Sequence, residues 1–95
     1  MTVEEEALKW YRKAAEGDER ISQRRLGWAY ERAELGLVTN RDLALMYFRS
    51  AAEGGDAEAQ RRLRVAHRHG ELGLKSNAEE ARKWCRKAAE SGYRD

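Results

Sequence analysis

Three side chains in the second half of the chain, His67, His69 and Cys85, are of types that can do chemistry. Imidazole and thiolate groups bind zinc, and a cysteine that is paired with a base can act as a nucleophile. Two residues that are two positions apart on a helix diverge by roughly 200°, so the two histidines cannot chelate one ion together. Acidic residues are not clustered around them, and Cys85 has no adjacent base. The sequence therefore predicts no metal site, no cofactor and no enzyme.

The most basic stretch, residues 61–69, offers a second kind of chemistry, which is binding to the phosphates of a nucleic acid. On a helix these charges point in several directions rather than along one groove. The whole chain has 19 Lys and Arg against 17 Asp and Glu, a net charge of +2. This near balance favours a role in packing and solubility, and we expect no nucleic-acid partner.

A ten-residue segment that recurs three times indicates which elements position these side chains. It begins at Ala7, Ala44 and Ala81, so the copies lie 37 residues apart (44 − 7 and 81 − 44). Each copy has small or apolar residues at i, i+3, i+4, i+7 and i+8, which is one face of an α-helix. In the first copy these are Ala7, Trp10, Tyr11, Ala14 and Ala15, and in the third they are Ala81, Trp84, Cys85, Ala88 and Ala89. We expect this face to pack inward, with Cys85 as a small, half-buried core residue.

A second helix, also repeated after 37 residues, lies between these segments. Its expected inward stripe is Ser22, Leu26, Ala29, Tyr30 and Ala33 in one copy, and Ala59, Leu63, Ala66, His67 and Gly70 in the other. Thr2, Asn40 and Asn77 have the character of helix N-caps. The sequence thus predicts five helices, over 2–16, 19–34, 41–53, 56–70 and 77–91. They form one all-α domain over 1–95, a short right-handed solenoid of antiparallel helices with repeats at 7–43, 44–80 and, in part, 81–95.

The composition is typical of a helical protein and indicates the cellular compartment. The chain has no proline, and 38% of its residues are charged. No apolar run approaches the roughly 20 residues of a membrane span. The segment that follows Met1 is acidic, with three glutamates at positions 4–6, unlike the basic start of a signal peptide. We therefore expect a cytoplasmic protein without a membrane partner. A single cysteine excludes an internal disulfide.

The repeated segments resemble the Sel1-like repeat, a relative of the tetratricopeptide repeat. The resemblance rests on the string A-x-x-W/Y-x-R-x-A-A-E-x-G, followed by A-x-x-Q-x-x-L-G-x-x-Y and a short G-x-L-G-L turn, with close matches at residues 70–74 and 84–90. It implies a non-catalytic adaptor that binds other proteins. The chain departs from the pattern at Ala33, where the family has glycine, and at Arg64, which occupies the small position held by Gly27. We expect looser packing at Arg64, or a side chain that extends outward.

The resemblance also indicates where a partner would bind, since the first helix of each pair lines the concave surface in related solenoids. The candidate partner-binding residues on its outward side are Arg24, Trp28, Glu31, Arg32, Arg61, Val65, Arg68 and His69. Guanidinium groups bind carboxylates and a tryptophan can anchor a segment, so an acidic peptide is one expected partner. The other interpretation is a solvated face whose charge pairs support the helix, with Trp28 covering its neighbour.

Two functions remain open at this point. The first is a protein–protein interaction module, and the alternative is a minimal or engineered scaffold with no natural ligand. We expect a monomer, because Glu4, Glu5 and Glu6 give the first helix a polar end. If the chain binds a specific partner, the positions where the copies differ should matter most, such as Trp28 against Val65 and Glu31 against Arg68.

Overall fold

A computed structural model describes residues 2–75 and 77–90, apart from the side chain of Ala88. The helices are α1 (Val3–Glu16), α2 (Arg20–Arg32), α3 (Arg41–Glu53), α4 (Ala57–His69) and α5 (Ala78–Glu90). These bounds confirm the five predicted helices to within two residues, while residue 91 of the last prediction lies outside the described part. None of the helices in that part is long and apolar enough to cross a lipid bilayer.

The start of each helix is fixed by a side chain that accepts a hydrogen bond from a backbone N–H of the first turn. Thr2, Asn40 and Asn77 do so at the three predicted starts, for example with the Leu43 N–H donating to Asn40 Oδ1 at 3.0 Å. Glu19 and Asp56, which are 37 residues apart, cap α2 and α4. Each cap satisfies donors that the helix itself leaves unpaired.

The turn that follows α4 has the same geometry as the turn that follows α2. Ala33 and Gly70 end the two helices in the left-handed region, at φ values of 55° and 70°. Ala33 and Gly70 are therefore exposed caps rather than parts of the inward stripes, and the prediction is wrong for both residues. The backbone N–H groups of Asn40 and Asn77 then donate to the carbonyls of Tyr30 and His67 at 2.9 and 2.6 Å. The repeat therefore fixes the path of the chain between the helices.

Consecutive helices pack against each other in a stack that is 44 Å long and 25 by 20 Å across. Leu26, Phe48 and Leu63 are the largest fully buried side chains. The buried amide of Gln23 donates to the carbonyl of Ala15 at 3.3 Å, and that of Gln60 donates to Ala52 at 3.0 Å. The recurring glutamine thus joins each first helix to the end of the helix before it. The architecture is the predicted all-α solenoid.

Three residues of the predicted inward face are exposed because no other helix of the described chain covers them, namely Trp10, Cys85 and Ala89. Trp10 is 59% exposed, whereas its equivalent Tyr47 is half-buried and stacks on Tyr30 of the preceding helix at 5.9 Å between ring centroids. Cys85 is exposed, whereas its equivalent Phe48 is fully buried in the core. The expectation that Trp10, Cys85 and Ala89 pack inward is thus wrong, since the pattern defines a face but not the helix that would cover it.

Candidate partner-binding surface

The first half of the predicted binding surface lies against α4. The Arg24 Nε atom is 3.1 Å from Asp56 Oδ2, and its Nη1 atom is 2.5 Å from Glu58 Oε2. Further along α2, Glu31 accepts two hydrogen bonds from Arg62, at 3.0 and 2.6 Å. This bidentate geometry is the strong form of a guanidinium–carboxylate pair. This side of α2 is therefore its junction with α4, the first helix of the next helix pair.

Trp28 lies between these two ion pairs and is half-buried. Its ring meets that of Phe48 edge-on, with 5.2 Å between centroids and 84° between planes. The guanidinium of Arg32 lies 4.0 Å from the Trp28 centroid and that of Arg62 lies 5.8 Å from it. Such cation–π contacts contribute roughly 0.5–1 kcal/mol each when they are exposed. Trp28 thus covers the neighbouring helix α3. This agrees with the interpretation of the surface in which Trp28 covers its neighbour instead of anchoring a partner.

Arg62 is the functional residue of this junction that sequence reasoning missed. It is 9% exposed, and it also donates to Glu71 Oε1 at 2.7 Å. Burial by itself lowers the pKa of Arg62, but hydrogen bonds to Glu31 and Glu71 outweigh this and raise the pKa overall. The guanidinium therefore stays charged. Its equivalent Arg25 is exposed, so the repeat pattern gives no signal that Arg62 is buried.

The second half of the predicted surface is more open. Arg61, Arg68 and His69 are exposed and Val65 is half-buried. Arg61 and Val65 stand at the repeat positions of Arg24 and Trp28. Arg68 stands at that of Glu31, so the charge there is reversed. The main helix contacts of α4 are with α3 and α5. No helix of the described chain meets this side of α4 in the way that α4 meets Arg24 and Glu31 of α2.

A cavity of about 250 Å³ opens next to this surface, between α4 and α5. Its lining residues are Arg64, Arg68, Ala78, Ala81, Arg82 and Cys85. At the equivalent place between α2 and α3, Gly27 leaves room for the Phe48 ring, and a Cβ on Gly27 would lie only 2.9 Å from ring atoms. Arg64 and Cys85 replace this pair of residues. The Phe48 ring thus fills the space between α2 and α3, whereas the equivalent space between α4 and α5 is open and is lined in part by arginines.

The histidines differ in their surroundings. His67 is 7% exposed, and burial lowers its pKa, with Arg49 and Lys83 acting in the same direction against Glu80. His69 is exposed at the end of α4. Across residues 2–75 and 77–90, no three His, Cys, Asp or Glu side chains are grouped in a way that would hold a metal ion.

Comparison with known proteins identifies the family. The family model of the Sel1 repeat matches residues 2–19, 20–56 and 57–93. The chain belongs to the Sel1 repeat family. The two longer matches correspond to α2 with α3 and to α4 with α5, which we call the first and second Sel1 units. In these terms, the contacts of α2 with α4 join one Sel1 unit to the next.

A solved Sel1 structure supports the same fold. The crystal structure of a Sel1 repeat protein from Oxalobacter formigenes is 34% identical and superposes with a TM-score of 0.85. The match covers 94% of this chain and 36% of that one, so the chain spans about a third of that relative's length. Among curated proteins, the sequence finds no significant match. The predicted family is confirmed, and Sel1 repeats are generally protein-interaction modules that lack catalytic activity.

Proposed function

We propose that this chain is a non-catalytic protein-interaction module that binds an acidic segment of a partner protein. The contact residues in this proposal are Arg61, Val65, Arg68 and His69 on the second Sel1 unit. The observation that carries it is the charge reversal at one repeat position, where Glu31 of the first unit is replaced by Arg68. With Arg61 retained from Arg24, the second unit presents two guanidinium groups on the side where the first unit presents one of each charge.

The first unit supports this proposal because it already holds a segment on the equivalent surface. There the acidic start of α4, Asp56 and Glu58, binds Arg24. We assign Arg24, Trp28 and Glu31 to keeping α4 in place and Arg32 to covering Trp28. Substitution of Arg24 would therefore disturb the stack as well as any binding, whereas Arg61 and Arg68 are exposed.

Selection of peptides from a random display library on the immobilised chain tests the proposal. We expect enrichment of Asp and Glu in the selected peptides. The double variant Arg61→Glu/Arg68→Glu should then lose the binding of those peptides, measured by fluorescence anisotropy. A matched control is Arg25→Glu/Arg86→Glu, since both residues are exposed and both doubles change the net charge from +2 by four units.

The comparison of the two doubles decides the outcome, with circular dichroism confirming that both are folded. Loss of binding in both would mean that only total charge matters, which contradicts a site on α4. Selected peptides without acidic enrichment would also contradict it. A chain that selects nothing at all would favour the alternative, a structural scaffold without a ligand.

A further inference from the structure

We infer that the bound segment is a helix that docks on α4 and α5 as α4 docks on α2 and α3, with its carboxylates placed opposite Arg61 and Arg68. The inference rests on the proposed function and specifies the shape and charge pattern of the segment. The docking of α4 within the chain provides the template, because the two Sel1 units are equivalent position by position at a spacing of 37 residues.

Three polar contacts hold α4 on the first unit. The carboxylates at its start bind Arg24, the Gln60 amide donates to the Ala52 carbonyl at the end of α3, and Arg62 binds Glu31. They occur in this order along α4, so they fix both its direction and its register. A helix that docks on the second unit in the same way would meet the equivalents of these three groups.

Two of these three groups are retained in the second unit and one is reversed. Arg61 replaces Arg24 with the same charge, and the carbonyl of Ala89 stands where that of Ala52 does. Ala52 is 1% exposed beneath α4, whereas Ala89 is exposed, as expected for an uncovered equivalent. Glu31 is replaced by Arg68, so the docking helix needs a carboxylate where α4 has Arg62. Like charges there would repel each other, which selects against a helix with the charge pattern of α4 itself.

The cavity between α4 and α5 completes the surface. Its lining combines the small side chains of Ala78, Ala81 and Cys85 with three arginines, Arg64, Arg68 and Arg82. We expect an apolar side chain at the position that Leu63 has on α4 to meet these small side chains, since Leu63 is fully buried and belongs to the same core cluster as Phe48, the equivalent of Cys85. Anchoring by an apolar side chain within a ring of charges is typical of helix-in-groove recognition.

A peptide made from residues 55–69 of this chain with Arg62→Glu is the probe for this inference. Because it carries the new carboxylate, it should bind the chain about tenfold more tightly than the unchanged 55–69 peptide, measured by fluorescence anisotropy. In the Arg68→Glu variant the preference should reverse, so that the unchanged peptide binds better. Arg86→Glu, on an exposed residue outside the surface, should leave the preference as it is. A preference that does not reverse with Arg68→Glu would overturn the inference.

Cys85 reports where the peptide lies, because it is the only cysteine, is exposed and lines the cavity. Bound peptide should slow the reaction of its thiol with an aromatic disulfide reagent several-fold. An unchanged rate under saturating peptide would place the peptide elsewhere and contradict the inference. Self-association of the chain that the peptide cannot displace would assign the surface to a second copy and would also contradict it.

A proline variant of the probe separates this inference from the proposed function. The Val65→Pro change in the same peptide keeps every charge but breaks the helix in its middle. We expect it to lose binding by at least about tenfold, since proline is strongly disfavoured inside a helix. If it binds as well as its parent, the segment does not dock as a helix, although an acidic segment would still be bound. If the library selection also fails, the proposed function itself is wrong.

Discussion

The two Sel1 units have the same backbone but differ in the side chains that meet the next helix. Both have the left-handed cap, the turn bond from Asn40 or Asn77, and the buried glutamine. The first unit closes its outer side with Phe48, Trp28 and the Glu31–Arg62 pair. The second has Cys85, Val65 and Arg68 at those positions. The features that recur therefore maintain the stack, and the features that change determine which side chains a further helix would meet.

The largest effect should come from Phe48, which closes the first unit. Phe48→Ala removes a fully buried ring that fits against Gly27, so we expect it to lower the free energy of unfolding by about 3–5 kcal/mol. Cys85→Ala at the equivalent, exposed position should change it by no more than about 0.5 kcal/mol. Urea denaturation followed by circular dichroism measures both. Equal losses of unfolding free energy in the two variants would mean that Phe48 and Cys85 contribute equally to the packing of their units.

The next effect concerns Arg62 and Arg25, which share one repeat position. Arg62→Ala leaves Glu31 without its partner and takes a cation from Trp28. A fully buried pair would cost more, but the side chains of Glu31 and Glu71 are 24% and 45% exposed. We therefore expect a loss of roughly 1–3 kcal/mol in unfolding free energy. Arg25→Ala is the matched control and should be within about 0.5 kcal/mol of the parent chain. A similar loss in both variants would show that the difference in burial has no energetic consequence.

These two pairs also show how far the sequence predicts the molecule. The period of 37 residues and the apolar spacing predict the five helices, and Thr2, Asn40 and Asn77 predict three of the starts. Such features depend on residues that are close in sequence, or on a fixed repeat, and both can be read from one chain.

The burial of individual side chains depends instead on which helix comes next. Arg25 and Arg62 have the same repeat position, as do Phe48 and Cys85, yet within each pair one is buried and the other exposed. Phe48 and Cys85 differ because α4 covers the first unit and no helix of the described residues covers the second. Arg62 and Arg25 differ because α2 supplies Glu31 to Arg62, whereas no described helix stands before α2 in the place that α2 has before α4. The eight candidate binding residues were predicted as one surface for the same reason. Contacts between α2 and α4 divide them into two groups, and no property of the residues themselves reveals that division.

A third comparison exchanges the C-cap residues of α2 and α4. Ala33 and Gly70 both adopt positive φ, a region that costs an L-residue about 1–2 kcal/mol and glycine almost nothing. We expect Ala33→Gly to raise the free energy of unfolding by about 1 kcal/mol and Gly70→Ala to lower it by about the same amount. Thermal denaturation of the two single variants measures this. Changes of the same sign would show that the two caps do not have equivalent backbones.

The smallest effect distinguishes Tyr30 from His67, which share a buried position at the turn. Burial lowers the pKa of His67 below the ordinary histidine value of about 6.5. The unfolded chain therefore takes up a proton first as the pH falls, so the stability of the folded state should fall between about pH 7.5 and 5. Glu19, whose pKa is lowered by hydrogen bonds from Ser22 and Ile21, acts in the same sense, but only in more acidic solution.

The variant His67→Tyr, which copies the first unit, should flatten this part of the stability profile. His69→Gln should not, because His69 is exposed. Urea midpoints at several pH values between about 5 and 7.5 measure the slope for both variants and the parent chain. If His67→Tyr keeps the slope of the parent, a group other than His67 is responsible. If only His69→Gln removes the slope, His67 is not responsible for the pH dependence. The exchange of Tyr30 for His67 between the two units would then change the shape of the side chain and not the response to pH.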